Sequence, residues 1–264
     1  MKKFGAEFWA GAALIALIAA VSLIGLFSSA DYNAMDAQSR FLPPGAGHIL
    51  GTDNLGRDIF VRVAEGGRHT LAVALAVSLF GGLVGGALGL CAGYAGGILN
   101  EVVMRLMDAV SSFPGILLSL ALIAALGGGQ GTLILALVVI FVPLFCRVAR
   151  NSTAQYKARD FVRLAELTGV SRPRIVFVHI LPNFLPALTS AFSLGLGNAI
   201  LAEAGMSYLG LGIPPPAPSW GRMLAEAQNH LFEAPWCALA PGLAIMLTVL
   251  GFNLLAEGIR KRYA

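Results

Sequence analysis

Between two long apolar runs lies the basic stretch Ala158 to Asn183, ARDFVRLAELTGVSRPRIVFVHILPN, and its spacing is that of a docking surface. Phe161, Leu164, Ala165 and Thr168 recur at i, i+3, i+4 and i+7, which places them on one face of a helix. Gly169 follows where a left-handed cap ends a helix at no steric cost. A short exposed helix with an apolar face does non-covalent work, seating itself in a groove on a partner. A second set, Thr189, Ser193, Asn198 and Glu203, punctuates an otherwise apolar run. Such residues either face a polar path or hydrogen-bond to neighbouring helices.

Covalent chemistry has no visible carrier. The chain contains no G-x-x-x-x-G-K-[S/T], so it lacks a phosphate-cradling loop and is not expected to bind ATP itself. It contains no H-E-x-x-H and no G-x-S-x-G, and GGGQG (127–131) is a turn with no strand before it. His48, His69, His179 and His230 are scattered, and none pairs at ligand spacing. Cys91, Cys146 and Cys237 are odd in number and far apart, which suggests neither a disulfide framework nor a metal site. The expectation is a non-enzymatic chain without metal or cofactor.

The elements that position these residues follow from composition. Of 264 residues, 57% are hydrophobic and 12% charged, about half the charge of a soluble domain. Uncharged windows run over 8–30, 69–100, 109–146, 175–202 and 234–256. A helix needs about 20 apolar residues to cross the hydrocarbon core, and the long 109–146 window is interrupted by the glycine turn. Six transmembrane helices are therefore expected: 8–27, 70–95, 110–126, 131–148, 184–203 and 236–256. Helices are preferred because lipid leaves backbone polar groups unsatisfied, and the runs are too long for barrel strands. Ser28-Ser29-Ala30 resembles a cleavage site, but the apolar core before it exceeds the usual signal-peptide length of about 7–15 residues. It is expected to remain as a span.

Placing the N-terminus inside puts 13 of the 18 Lys and Arg residues on the cytoplasmic side. Arg40, Arg57, Arg62, Arg68 and Arg222 remain outside. The net charge of +4 thus reports topology and implies no nucleic-acid partner. The chain divides into 1–68, a span with an external segment, and 69–264, five helices with a cytoplasmic loop at 149–183. In the external segment Asp53 is a suitable helix N-cap, with ion pairs expected for Asp58–Arg62 and Glu65–Arg68 on an interfacial helix over 53–68. Gly81, Gly85, Gly89, Gly93 and Gly97 form a smooth ridge on the second span, against which another helix can pack closely. Pro114 near the start of the third span allows a kink. In loop 204–235, Pro214 to Pro218 favours an extended conformation and Ser219 caps a helix reaching about His230.

Three motifs, in order, carry a family resemblance. Ala165, Gly169, Leu181 and Pro182 match the E-A-A-x₃-G…I-x-L-P loop of ABC importer permeases. Arg163, Leu164 and His179 stand where that pattern has Glu, Ala and Ile. Gly51, Thr52, Asp53, Gly56, Arg57 and Asp58 match G-T-D-x-x-G-R-D, which precedes the second helix in permeases of the dipeptide/oligopeptide/nickel family. Ser207 to Gly212, then Ser219, Trp220, Gly221, Met223 and Leu224, match its S-F-L-G-L-G…S-W-G-x-M-L, with Tyr208 for the Phe. Pro241, Gly242, Asn253 and Gly258 extend the likeness along the last span. The chain resembles the C-type permease subunit of that family, with a type I importer fold and both termini cytoplasmic. The resemblance implies a multi-pass bacterial inner-membrane protein that pairs with a second permease, two cytoplasmic ATPases and an external substrate-binding protein. It implies alternating access for peptides, or for nickel or a metal chelate. The 158–172 segment would couple to the ATPases, and the 53–68 and 219–231 elements would meet the binding protein.

Overall fold

The computed structural model describes residues 4–27, 31–45 and 47–263. Its helices are α1 (Ala6–Phe27), α2 (Ile59–Ala95), α3 (Gly97–Ser111), α4 (Gly115–Leu126), α5 (Gln130–Lys157), α6 (Asp160–Leu167), α7 (Arg172–Tyr208), α8 (Trp220–Ala227) and α9 (Trp236–Tyr263). The described residues contain one isolated β-bridge, Thr52 with Asp58, and no strand. Five helices are long and apolar enough to span a membrane, and the bent pair α3–α4 makes a sixth. Ser28-Ser29-Ala30 lie outside the described residues.

Two boundaries depart from the sequence reading. The interfacial helix expected over 53–68 is instead the first turns of α2, which runs unbroken from Ile59. Its cap is Asp58, whose carboxylate accepts from the Val61 N–H, and not Asp53. The Asp53 carboxylate is occupied by the N–H groups of Leu55 and Arg57 at 2.8 and 3.0 Å, inside a loop bent by left-handed Gly51 and Gly56. The third span, expected as one helix over 110–126, is broken by an 89° bend between α3 and α4. Pro114 explains the break, because it disfavours helical backbone at Phe113 and cannot donate to a helix running through it. At about 1.5 Å per residue, 12-residue α4 reaches about 18 Å, too short to cross the core alone. The proline run likewise bounds a turn at Pro215–Pro216.

Glycine sets the central packing. Along α2, a Cβ on Gly85 would lie 2.5 Å from the Val142 carbonyl oxygen, and one on Gly93 would lie 2.6 Å from that of Arg150. A Cβ on Gly89 would overlap the Cys146 carbonyl. The expected ridge therefore meets α5 within the same chain, over four of its five glycines. Gly97 lies beyond the end of α2, with nothing within 4 Å of its Cβ position. The pairs advance together along both helices, so α2 and α5 are parallel. Conversely, α1 packs antiparallel on α9, with Gly11 against Gly251, Phe8 against Gly258, and Lys261 Nζ donating to Glu7 at 2.6 Å.

The main core gathers Val73, Val77, Leu133, Phe145, Ile200 and Trp220 from four helices. A separate cluster (Leu90, Ala149, Val162, Ala165, Ile175, Ile180, Phe184) forms where α6 and the start of α7 lean on the ends of α2 and α5.

Candidate functional site

The docking segment folds as a short helix with a complete cap. Gly169 takes φ +77°. Its N–H bonds the Glu166 carbonyl at 3.1 Å, and the Val170 N–H bonds that of Ala165 at 3.0 Å. This paired pattern is the Schellman arrangement, which requires a left-handed residue. The Thr168 hydroxyl donates back to Leu164 and Ala165 carbonyls at 3.0 and 3.1 Å.

The apolar face is turned relative to the sequence reading. Ala165, expected to point at a partner, is 8% exposed and packs inward with Val162. Phe161, Leu164 and Leu167 are exposed, Leu167 at 86%. The second cluster captures the Val162–Ala165 edge, which leaves the neighbouring edge free. Leu167 escaped the i, i+3, i+4 count because it adjoins that face from the other side.

After Ser171, α7 opens with a π-turn over Ile175–Ile180, in which the Leu181 N–H reaches the Val176 carbonyl five residues back. Pro182 accounts for it: its ring would clash with the Val178 carbonyl in a regular helix, and it has no N–H to donate. Asn183 Nδ2 instead satisfies the His179 carbonyl at 2.6 Å. Facing this turn is a hollow of about 500 Å³, walled by Leu90, Cys91 and Tyr94 of α2, Lys157 of α5, Glu166 of α6 and Phe177 of α7.

At the opposite end, the G-T-D-x-x-G-R-D residues fold a loop onto α8 and α9. A Cβ on Gly51 would lie 2.6 Å from the Leu42 carbonyl, and one on Gly56 would overlap that of Asp36. Thr52 Oγ1 accepts from the Leu42 N–H at 2.8 Å, and Trp236 Nε1 donates to the Thr52 carbonyl at 3.2 Å. Arg57 donates from Nε to Asp53 at 2.7 Å and from Nη2 to Glu226 at 3.0 Å. Arg62 Nη2 reaches the same Glu226 oxygen at 2.9 Å, and Arg222 Nε takes the other at 3.1 Å. Arg62 therefore pairs with Glu226 and Asp53, not with Asp58, which holds His48 at 2.7 Å. The Glu65–Arg68 pair is present at 3.1 Å. Glu226 was missed in the sequence, where nothing links it to arginines more than 160 positions away.

Ser219 caps α8 by accepting from the Arg222 N–H. Trp220 is 1% exposed and donates to the Val63 carbonyl at 2.9 Å, and a Cβ on Gly221 would overlap the Ala204 carbonyl. These three residues seat α8 into the bundle.

The polar residues of α7 do not share one exposed face. Thr189 and Asn198 are exposed, but nine residues apart they point in opposite directions. Ser193 is buried against the Thr189 carbonyl, and Glu203 is wholly buried, accepting from Ser207 Oγ at 2.6 Å. Thr189 alone lines an apolar hollow, of about 220 Å³, with Leu79, Phe145 and Phe192.

Residues 85–264 match the family described as binding-protein-dependent transport system inner membrane component. A dipeptide transport system permease protein of Alkalihalophilus pseudofirmus is 37% identical, covering 89% of this chain and 77% of that protein. A glutathione transport system permease protein of Salmonella paratyphi A is 40% identical, covering 96% and 88%. A probable D,D-dipeptide transport system permease of Escherichia coli is 38% identical over 87% and 77%. In fold, the chain is similar to an inward-facing methionine ABC transporter structure, with a TM-score of 0.63 at 20% identity over 75% of this chain and 94% of that one.

Proposed function

The chain belongs to the family of binding-protein-dependent transport system inner membrane components, and on that premise we propose that it carries di- or oligopeptides by alternating access, driven by ATPases docked at α6. It is a permease subunit of an ABC importer, a multi-pass inner-membrane protein. A second permease would complete the path, two cytoplasmic ATPases would supply the energy, and an external binding protein would deliver the substrate. Peptide is favoured because the relatives carry dipeptide, D,D-dipeptide and glutathione names. The nickel or metal-chelate reading has no comparable support.

The observation that carries the ATPase reading is the free edge of α6. Phe161, Leu164 and Leu167 stand exposed at the end where α2, α5 and α7 converge, on a helix fixed from behind by Val162 and Ala165. A rigid helix with an unpartnered apolar edge suits a groove on a soluble partner. The 51–62 loop and α8 lie at the other end, where the binding protein would approach.

Leu164→Glu places a charge in the docked contact, where an unpaired buried charge costs about 2–5 kcal/mol. It should cut ATPase co-purification and uptake of a labelled dipeptide by at least about tenfold, with membrane insertion unchanged. Gly169→Val forces a β-branched residue to φ +77° and should uncouple ATP hydrolysis from substrate. Wild-type uptake and ATPase retention in both variants would overturn the docking assignment. Uptake of labelled nickel but not dipeptide would overturn the peptide assignment alone.

A further inference from the structure

We propose that the π-turn Ile175–Ile180 is a hinge about which the docking unit closes onto the cytoplasmic end of α2, bringing Glu166 to Lys157 across the hollow between them. This rests on the importer reading above and adds a moving part to it.

Three observations converge. The first is the turn itself. One i→i+5 bond replaces the regular ladder at Leu181, and Pro182 and Pro186 remove two further donors within the next five positions. The regular i→i+4 ladder is interrupted here, and breaks of this kind concentrate at functional sites. The second is the packing. Val162, Ala165, Ile175 and Ile180 form a cluster of their own with Leu90, Ala149 and Phe184, apart from the main core. Because that contact with α2 and α5 is small and separate from the main core, the unit can shift against Leu90 and Ala149 without opening the bundle. The third is the space. The hollow of about 500 Å³ lies between that unit and α2, so closure has somewhere to go.

The walls of the hollow carry matching charge. On the fixed side, Lys157 Nζ donates to the Tyr94 carbonyl at 2.6 Å and stands 4.9 Å from the centre of the Tyr94 ring. On the moving side stand Glu166 and Arg172. Among the described residues Glu166 has no salt-bridge partner, and Lys157 has no carboxylate within 4 Å. Narrowing the hollow sets the ammonium against the Glu166 carboxylate, with Arg172 on the same wall. The open form shown here leaves that attraction unused, and an ATPase pressing on Phe161, Leu164 and Leu167 would supply the push.

Cys91, exposed on the α2 wall, faces Phe177 on the other. With Cys146→Ala and Cys237→Ala removing the buried thiols, Phe177→Cys creates one pair across the hollow. The full complex in membranes would be treated with bis-maleimides of short and long reach, nucleotide-free and vanadate-trapped. The expected result is a several-fold higher yield with the short reagent in the trapped state, and loss of uptake once the link forms. Equal yields in both states, in a complex that still hydrolyses ATP and imports, would overturn the hinge and leave the importer reading standing. A chain that never retains an ATPase would remove both. For the charge pair, Glu166→Lys and Lys157→Glu should each lower uptake several-fold, and the double exchange should restore most of it. A double variant no better than the singles overturns the pairing.

Discussion

Glu226 is the residue on which the outer end of the molecule turns. One of its oxygens accepts from Arg57 and Arg62, both nearly buried, and the other from Arg222, which remains part-exposed. Glu226→Ala would leave two guanidinium groups short of a counter-charge, with Asp53 as the remaining partner. Breaking a buried pair costs about 3–5 kcal/mol, and the partial exposure of Glu226 places the expected loss near the lower limit. Arg222→Ala should cost less than about 1 kcal/mol, as for other solvent-screened pairs. Thermal unfolding of the purified chain should therefore separate the two variants by several degrees, and equal midpoints would show that the cluster does not hold the loop. The sequence reading makes Asp53 a helix cap and pairs Arg62 with Asp58, although one contact of the cluster lies within reach of local spacing. Asp53 and Arg57 stand four apart inside one motif, so their contact is local. Glu226 is brought to them only by the path of the chain through α2, α5 and α7, and an isolated acidic residue carries no sign of such a destination.

Elements were legible where length and periodicity decide them, and obscured where backbone direction does. Apolar run length placed five spans, because lipid imposes that length whatever the partners. The bend before α4 was less visible, since an apolar window records hydrophobicity and Pro114 records direction. The α6 helix and its Gly169 cap were visible locally, but its buried edge is chosen by Ile175, Ile180 and Leu90, which lie outside the helix. The glycine ridge shows the same division. Spacing identified the smooth face, and only the structure shows α5 lying on it. Gly89→Val would drive a side chain into the Cys146 carbonyl and part the two helices, costing about 1–3 kcal/mol or more. Gly86, three residues away on α2, has nothing within 4 Å of its Cβ position. Gly86→Val should leave the isolated chain as stable as wild type, whereas Gly89→Val should lose folded yield after detergent extraction. Equal yields would mean that the α2–α5 contact does not govern stability.

For the whole molecule, the two helix pairings fix what charge counting could only suggest. Because α2 and α5 are parallel, and Lys157 at the end of α5 meets Tyr94 at the end of α2, both helices finish on the same side. The chain must then return across the membrane between Ala95 and Gln130, so the bent pair α3–α4 is a crossing and not a re-entrant loop. Because α1 and α9 are antiparallel, with Glu7 beside Lys261, the start of the first helix and the finish of the last also share a side. Ser190 Oγ bonded to the Ala256 carbonyl ties that end of α9 to α7, just beyond the docking unit. Both termini and α6 therefore lie together, and the distribution of Lys and Arg assigns that side to the cytoplasm. Reporter fusions at the C-terminus and within 35–50 should give opposite readouts, with the C-terminal one cytoplasmic. Were α3–α4 re-entrant, the number of crossings would be odd and the C-terminal fusion would report from outside, which would also carry α6 away from any cytoplasmic ATPase. A single topology measurement thus bears on the fold and on the coupling mechanism together.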